Sequence, residues 1–307
     1  MEKRLVLFMA VWAISLPVWA QPGTAKAPTE AISRKWQDVA YAQTSAAQKL
    51  DIYLPEEGDG PFPVIVSIHG GAFRIGDKAD GQLTPMLEGL KRGYAVVSIN
   101  YRMSGEALFP AAVHDVKAAI RWIRANAETY HLNAEKIAVW GGSAGGHLAA
   151  MAGVTGGVAG LEDLSLGNAE FSSRVQAVVD WFGPINFLTM DEAFKASGKG
   201  RPDHNEAGSP ESQYLGQKIT EIPELVKASN PETYISADDP PFLIQHGTED
   251  PLVPTEQSIH FAHELEKVVG TEKCTLTLLQ GAKHGGREFS TRENLERVFA
   301  FLDQHLK

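Results

Sequence analysis

A glycine-rich turn around one serine limits the fold of this chain more than any other feature. Residues 141–146 read Gly-Gly-Ser-Ala-Gly-Gly, with Ser143 in the third position. They follow an apolar, strand-like run at 137–140 and precede the helix-like run HLAAMA. A G-x-S-x-G motif between a strand and a helix is typical of a nucleophile elbow, in which small neighbours allow a tight turn and the serine backbone is strained. The motif therefore predicts that Ser143 stands beyond the carboxyl end of a sheet as a nucleophile, beside the positive end of the following helix.

Short apolar runs alternate with helical patterns along the rest of the chain. Most of these runs lack a polar–apolar alternation, which is typical of strands buried on both faces of a parallel sheet. Between them, apolar residues recur at spacings of three and four, as on one face of a helix. This order predicts an α/β fold with a mostly parallel, doubly wound sheet flanked by helices. The strand-like runs lie at 50–54, 63–68, 95–99, 137–140, 175–181, 242–245 and 275–279.

The first twenty residues have the pattern of a targeting segment. Lys3 and Arg4 precede an apolar run at 5–16, and Val-Trp-Ala ends the segment at Ala20. This pattern predicts a secretory signal peptide cut after Ala20, in a secreted or periplasmic protein. An uncleaved anchor helix is the alternative, but the run is short for a bilayer span, so we expect no stable membrane insertion.

The remaining chain divides into a leader and one domain. Residues 21–35 are rich in Pro, Gly, Thr and Ala and are predicted to form a flexible leader. Residues 36–307 are predicted to form a single catalytic domain. Within it, 185–235 shows weak periodicity and many loop-forming residues, which indicates a small insertion or lid over part of a site; a surface loop without a role is the alternative.

Charge and cysteine content exclude some kinds of function. The formal net charge is −10, and a chain with this charge is repelled by nucleic acids and anionic membranes. Cys274 is the single cysteine, so an intrachain disulfide cannot form. It lies in an apolar alternating run, where a small buried side chain is the common role. The sequence leaves the oligomeric state open.

A serine nucleophile needs a base, and His284 is the predicted one. It follows the strand-like run at 275–279 in Gly-Ala-Lys-His-Gly-Gly, on the same edge as the elbow. In proteins with this elbow the partners follow in the order serine, acid, histidine. His246 ends an earlier strand and is the alternative base, although it precedes the predicted acid.

The predicted acid is Asp250, in the turn HGTEDPLVP after the strand-like run at 242–245. Its role would be to hold the imidazole tautomer and to stabilise the imidazolium. Two alternatives stay open: the neighbouring Glu249, and Asp180 at the end of an earlier strand.

The loop after the strand-like run at 63–68 reads His-Gly-Gly-Ala-Phe. Acyl transfer creates an oxyanion, which preorganised backbone N–H groups stabilise. We expect those donors to be Gly71, Ala72 and Ala144, the last being the residue after the nucleophile. His69 is expected to brace the loop rather than to act as a base.

The motifs HGGAF, GGSAGGH, HGTEDPLVP and the late His-Gly-Gly together resemble a known family. They are similar to bacterial α/β-hydrolase esterases related to the hormone-sensitive-lipase group, and most to the secreted feruloyl and acetyl esterases of plant-polysaccharide degradation. The similarity covers 36–305. It implies the α/β-hydrolase fold, carboxylic ester hydrolysis, and catalytic roles for the residues named above. Ala72 stands where lipase-group members often have a third glycine.

The expected substrate is a small-molecule or polysaccharide-linked ester with a short-chain or aromatic acyl group. The expected mechanism needs no metal or other cofactor. Phe73, Trp181 and Phe182 flank the site loops and are predicted to line an acyl or aromatic pocket, with core packing as the alternative. Two other functions are considered: a serine peptidase of the prolyl-oligopeptidase type, for whose gating domain the chain has no room, and a non-catalytic binding module on the same fold.

Overall fold

The computed structural model describes residues 25–307, and one sheet organises them. Within this part of the chain the sheet has eight strands in the order β1-β2-β4-β3-β5-β6-β7-β8. The first two strands pair antiparallel, and the strands from β4 onward in this order are parallel to one another. The strands are β1 (Lys35–Ala40), β2 (Lys49–Tyr53), β3 (Phe62–Ile68), β4 (Ala95–Ile99), β5 (Leu132–Gly142), β6 (Ala177–Trp181), β7 (Phe242–Gly247) and β8 (Cys274–Leu279).

Helices cover both faces of the sheet. Successive residues of β3 contribute to two different cores: Val64 and Val66 pack with the helices at 111–125 and 144–154, while Ile65 packs with the helices at 84–87 and 292–306. Because both faces are buried, the central strands are largely apolar, and the prediction of a mostly parallel, doubly wound sheet is confirmed. The α-helices are α1 (Thr84–Leu87), α2 (Ala111–Ala125), α3 (Ala144–Val154), α4 (Met190–Ser197), α5 (Pro210–Leu215), α6 (Pro223–Ser229), α7 (Glu256–Val269) and α8 (Arg292–Leu306).

The edge strand β1 has no counterpart among the predicted strands. Most of its residues are exposed, and a register shift between Trp36 and Val39 interrupts its pairing with β2. A mostly exposed edge strand has no apolar run to reveal it, because burial is what selects apolar residues.

The described part of the predicted leader lies against the domain. The Ala27 N–H donates to the Ala79 carbonyl at 2.9 Å, and the Ala27 side chain is buried. Lys26 forms a bridge with Asp80. The start of the described part therefore contacts the turn before the helix at 84–87, and the flexibility of 21–35 stays a prediction. The predicted signal peptide at 1–20 lies outside the described residues.

The segment 185–235 is a packed part of the fold. It forms α4, α5 and α6, joined by short 3-10 turns. It also buries apolar side chains in the core on the α2 and α3 face of the sheet, and these are Ile185, Phe187, Met190, Tyr214, Leu215, Ile219 and Val226. Across residues 25–307 no helix has the length and apolar character to span a bilayer.

Candidate active site

The elbow is built by close approach of three segments. β5 ends at Gly142, α3 begins at Ala144, and Ser143 between them has φ 57° and ψ −124°, a conformation rare for a residue with a side chain. A side chain at Gly141 would overlap the Gly145 carbonyl, and one at Gly145 would overlap the Ile68 carbonyl. Glycine at both positions lets the turn form, as the motif predicts.

Ser143, His284 and Asp250 form one chain of hydrogen bonds. His284 Nε2 lies 2.9 Å from Ser143 Oγ, and His284 Nδ1 lies 2.7 Å from Asp250 Oδ2. A carboxylate only accepts hydrogen bonds, so Nδ1 carries the ring proton and Nε2 is free to accept from the serine hydroxyl. The side chains come from the loops after β5, β7 and β8, which all end on the same edge of the sheet.

Asp250 is fixed in place and held in its charged form. Its Oδ1 accepts from the N–H groups of Leu252 at 2.8 Å and Val253 at 3.0 Å. Burial acts to raise the pKa of Asp250, but the charge of His284 and the hydrogen bonds from His246 and His284 act against burial and outweigh it. The pKa of Asp250 therefore lies well below its usual value, and the group is a carboxylate at neutral pH.

His246 lies behind the acid and does not contact the nucleophile. Its side chain is fully buried, and its Nε2 is 3.0 Å from the Val253 carbonyl and 3.2 Å from Asp250 Oδ2. Its Nδ1 is 2.6 Å from Ser258 Oγ. A histidine at the end of a buried strand indicates such contacts in the sequence, because a buried imidazole ring needs polar partners for its nitrogens.

The two alternative acids lie elsewhere. Glu249 is exposed and pairs with Lys199 at 3.0 Å. Asp180 is fully buried beneath the elbow, where its Oδ1 accepts from the Gly183 N–H at 2.9 Å. Burial raises the pKa of Asp180 to about 6. Among the hydrogen bonds of residues 25–307, neither group contacts His284, which leaves Asp250 as its carboxylate partner.

The loop after β3 runs beside the nucleophile. A side chain at Gly70 would lie 3.2 Å from Ser143 Cβ. The next three residues all have positive φ: Gly71 at 120°, Ala72 at 55° and Phe73 at 60°. Within the described residues, the N–H groups of Gly71, Ala72 and Ala144 have no hydrogen-bond acceptor. Free N–H groups of this kind are suited to binding an anion.

His69 braces this loop from below. Its Nδ1 lies 2.8 Å from the Gly70 carbonyl, and its ring stacks on Tyr101 with centroids 4.5 Å apart. The Tyr101 hydroxyl donates to the His69 carbonyl at 2.9 Å. Burial lowers the pKa of His69, which keeps the ring neutral.

All three predicted pocket aromatics are buried core residues, which favours the core-packing alternative, and their role as substrate contacts stays a prediction. Phe73 is 1% exposed and stacks on Tyr214, with centroids 4.0 Å apart. Trp181 is 5% exposed and packs between Trp140 and Phe289. Packing a large aromatic ring into the core removes more of its apolar surface from water than leaving it at the surface. This explains why Phe73 and Trp181 pack into the core.

Phe182, the third predicted aromatic, adjoins the hydrogen-bonded chain. Its ring centroid lies 4.7 Å from that of His284 and 4.7 Å from that of Phe289. A side chain at Gly142 would touch Phe182 at 3.1 Å. The ring therefore limits the positions that the His284 imidazole can take.

Metal sites and reactive thiols both require side-chain groups that the described residues do not provide. Residues 25–307 contain no group of three or more His, Cys, Asp or Glu side chains placed to hold a metal ion. Cys274 is buried, and burial raises the pKa of its thiol to about 12, so it is not a thiolate at neutral pH.

Comparison with known families and structures identifies the family. A family model described as BD-FAE matches residues 50–265, which is more than half of the chain. The chain belongs to the BD-FAE family. The matched part includes the elbow and the acid turn, while His284 lies beyond it.

Named relatives of this BD-FAE family member are esterases. It is 33% identical over 267 residues to the probable carboxylic ester hydrolase LipM of Mycobacterium tuberculosis, covering 83% of this chain and 59% of LipM. It is similar to the structure of a truncated carbohydrate esterase from gut microbiota (TM-score 0.80, 34% identity, 91% of this chain and 99% of that one). It is also similar to Thermogutta terrifontis esterase 2 phosphonylated by sarin (TM-score 0.72, 28% identity, 89% and 95%).

These similarities confirm the α/β-hydrolase fold predicted from the motifs. The chain spans about three fifths of the length of the curated relatives LipM and LipQ.

Proposed function

We propose that this BD-FAE family member is a serine carboxylic ester hydrolase. The observation that carries the proposal is the hydrogen-bonded chain from Asp250 through His284 to Ser143, beside a loop with free N–H donors. A base within hydrogen-bond reach of a serine hydroxyl, itself oriented by a carboxylate, is the arrangement that acyl transfer requires.

Hydrolysis proceeds in two steps in this proposal. The Ser143 oxygen attacks the ester carbonyl while its proton moves to His284 Nε2. The carbonyl oxygen becomes an oxyanion, which accepts hydrogen bonds from Gly71, Ala72 and Ala144. The bond to the alcohol oxygen then breaks, and that oxygen takes the proton from His284. Water repeats the sequence on the acyl-enzyme, which releases the carboxylic acid and restores the Ser143 hydroxyl.

The proposed substrate is a short-chain or aromatic acyl ester, with acetyl or feruloyl groups on plant polysaccharides as the first candidates. Two observations support this proposal: the sequence resemblance, and the similar structure of a carbohydrate esterase. We further propose secretion or export to the periplasm, on the pattern of residues 1–20. Sequencing the N-terminus of exported protein tests this, since cleavage after Ala20 would leave Gln21 first.

The test is a panel of esters given to wild type and Ser143→Ala: p-nitrophenyl acetate, butyrate and decanoate, methyl ferulate and acetylated xylan. We expect wild type to cleave the short or aromatic esters and the variant to lose nearly all of that rate. The ranking of rates across the panel identifies the acyl group. No hydrolysis by wild type, or equal rates for both proteins, would contradict the proposal and favour a peptidase or a binding module.

A further inference from the structure

A groove with two unpaired positive charges opens beside the loop that follows β3. It has a volume of about 550 Å³, within the usual range of ligand sites. One wall is Arg74, whose N–H donates to the Gly71 carbonyl at 3.0 Å, and the opposite wall comes from the α5 region of the segment 185–235. Ser104, Gln213 and Lys218 also line the groove.

The charge in this groove is of one sign. Arg74 and Lys218 are its only charged lining residues, and within residues 25–307 neither forms an ion pair. Both side chains are half-buried. The chain carries a net charge of −10, so an acid-free groove with two cations differs from the molecule as a whole.

The Arg74 guanidinium is fixed by a neutral side chain and keeps N–H donors for another hydrogen-bond acceptor. Its Nη1 donates to Gln213 Oε1 at 2.8 Å, which fixes the side chain across the groove without neutralising its charge. The Ser104 N–H donates to the Phe73 carbonyl at 2.8 Å and keeps the groove floor against the same turn. A guanidinium fixed by a neutral amide keeps donors for a carboxylate, which it binds with good geometry.

We propose that this groove binds a carboxylate on the carbohydrate part of the substrate, namely a uronic acid unit near the esterified sugar. Arg74 and Lys218 are then specificity-determining residues, and the preferred esters are those of acidic polysaccharides. The inference rests on the proposed esterase function, since the groove begins three residues after Gly71.

The experiment compares acetate release from acetylated xylo-oligosaccharides that carry or lack a glucuronic acid side group. The measured quantity is the ratio of kcat/KM for the acidic substrate to that for the neutral one. We expect wild type to favour the acidic substrate and Arg74→Gln/Lys218→Gln to lower the ratio about tenfold, as for a lost charge-assisted hydrogen bond. Added salt should lower the ratio in wild type and have less effect in the double variant.

Lys91→Gln/Lys267→Gln is the matched control, because it also removes two positive charges, from exposed side chains that pair with Glu88 and Glu264 outside the groove. It should leave the ratio unchanged. A ratio that does not change in the double variant, or that falls equally in the control, would overturn the proposal. Hydrolysis of p-nitrophenyl acetate is followed in parallel: its absence in wild type contradicts the esterase proposal, whereas its presence with an unchanged ratio contradicts the groove alone.

A second inference comes from the buried contacts of His246. The Val253 carbonyl and the Asp250 carboxylate only accept hydrogen bonds, so Nε2 of His246 must carry the proton that lies between them. On the other side of the ring, Nδ1 lies 2.6 Å from the Ser258 hydroxyl, so the two ring nitrogens join the acid turn to Ser258. Of the charged or titratable groups, Asp180 and Asp250 interact with this ring, and both are buried.

We infer that His246 is a positioning residue, which ties the Asp250 turn to α7 through Ser258 and so fixes the carboxylate that orients His284. His246→Leu should lower kcat at least about tenfold with little change in KM, because substrate contacts are untouched while the acid is loosened. His246→Gln keeps an N–H donor and should recover part of kcat.

Ser258→Ala is the milder test if His246→Leu does not fold, since it removes only the hydroxyl that faces Nδ1. It should lower kcat by a smaller factor at unchanged KM. A kcat equal to that of wild type in folded His246→Leu or in Ser258→Ala, or no difference between the leucine and glutamine variants, would overturn the inference.

Discussion

Replacing Asp250 by asparagine should move the ring proton of His284 from Nδ1 to Nε2. The carboxylate Oδ1 accepts two backbone N–H groups, from Leu252 and Val253, so an asparagine must place its own oxygen there. Its NH₂ group then takes the place of Oδ2 and points at His284 Nδ1, 2.7 Å away in the native protein. Nδ1 becomes an acceptor, and the ring proton moves to Nε2, where it faces Ser143 Oγ. The base is then in the wrong tautomer to take the serine proton.

The expected cost is large. A misplaced tautomer in a serine–histidine–acid site lowers kcat about 10,000-fold, which corresponds to roughly 5 kcal/mol of transition-state stabilisation. The assay is steady-state hydrolysis of p-nitrophenyl acetate by Asp250→Asn at neutral pH, with the melting temperature as a check on folding.

Two matched variants complete the design. Glu249→Gln and Asp180→Asn neutralise the alternative acids, which contact Lys199 and Gly183 instead of His284. Both should keep most of the activity. A folded Asp250→Asn protein with near-native kcat, or a greater loss in either matched variant, would refute the assignment of the acid.

Three further predictions concern stability. Phe73→Ala should lower the free energy of unfolding by about 3–5 kcal/mol, measured by urea denaturation, because it leaves a cavity against Tyr214; a smaller loss would indicate that Phe73 is not a core residue. Gly145→Ala should cost about 1–3 kcal/mol and much of kcat, because the new methyl group overlaps the Ile68 carbonyl; unchanged denaturation and activity would contradict the close approach. Burial raises the pKa of Asp180 from 3.8 to about 6, so the folded state holds this proton after the unfolded state has lost it. Stability should therefore fall between about pH 4 and 7, by roughly 3 kcal/mol relative to Asp180→Asn; parallel stability curves for the two proteins would contradict this.

The parts of the molecule that follow from local backbone rules could be predicted from the sequence. The central strands are buried on both faces, so each appears as a continuous apolar run. The elbow needs glycine wherever a side chain would overlap backbone, so its position was readable at Gly141 and Gly145. The loops carrying Asp250 and His284 follow strands that end on the same edge, and the structure brings these two side chains together with Ser143.

The parts that depend on tertiary packing could not be predicted in this way. β1 is an exposed edge strand without an apolar pattern, and the segment 25–34 is held by contacts with a turn distant in sequence. Phe73 adjoins the site loop in sequence but packs into the core, because only the fold decides which side of the turn its ring takes. The sequence offers His246 as an alternative base, and its contacts with the acid turn depend on how α7 lies beside β7.

If Ser143 is the nucleophile, a reagent that reacts covalently with activated serines will label it. Wild type is treated with a serine-directed alkyl phosphonate, digested, and the labelled peptide is sequenced by mass spectrometry, with folded Ser143→Ala as the control. We expect one label per molecule, on Ser143, with loss of esterase activity in proportion to labelling and no label in the control. A label on another residue, or full inhibition without a label on Ser143, would contradict the role of Ser143 as the nucleophile.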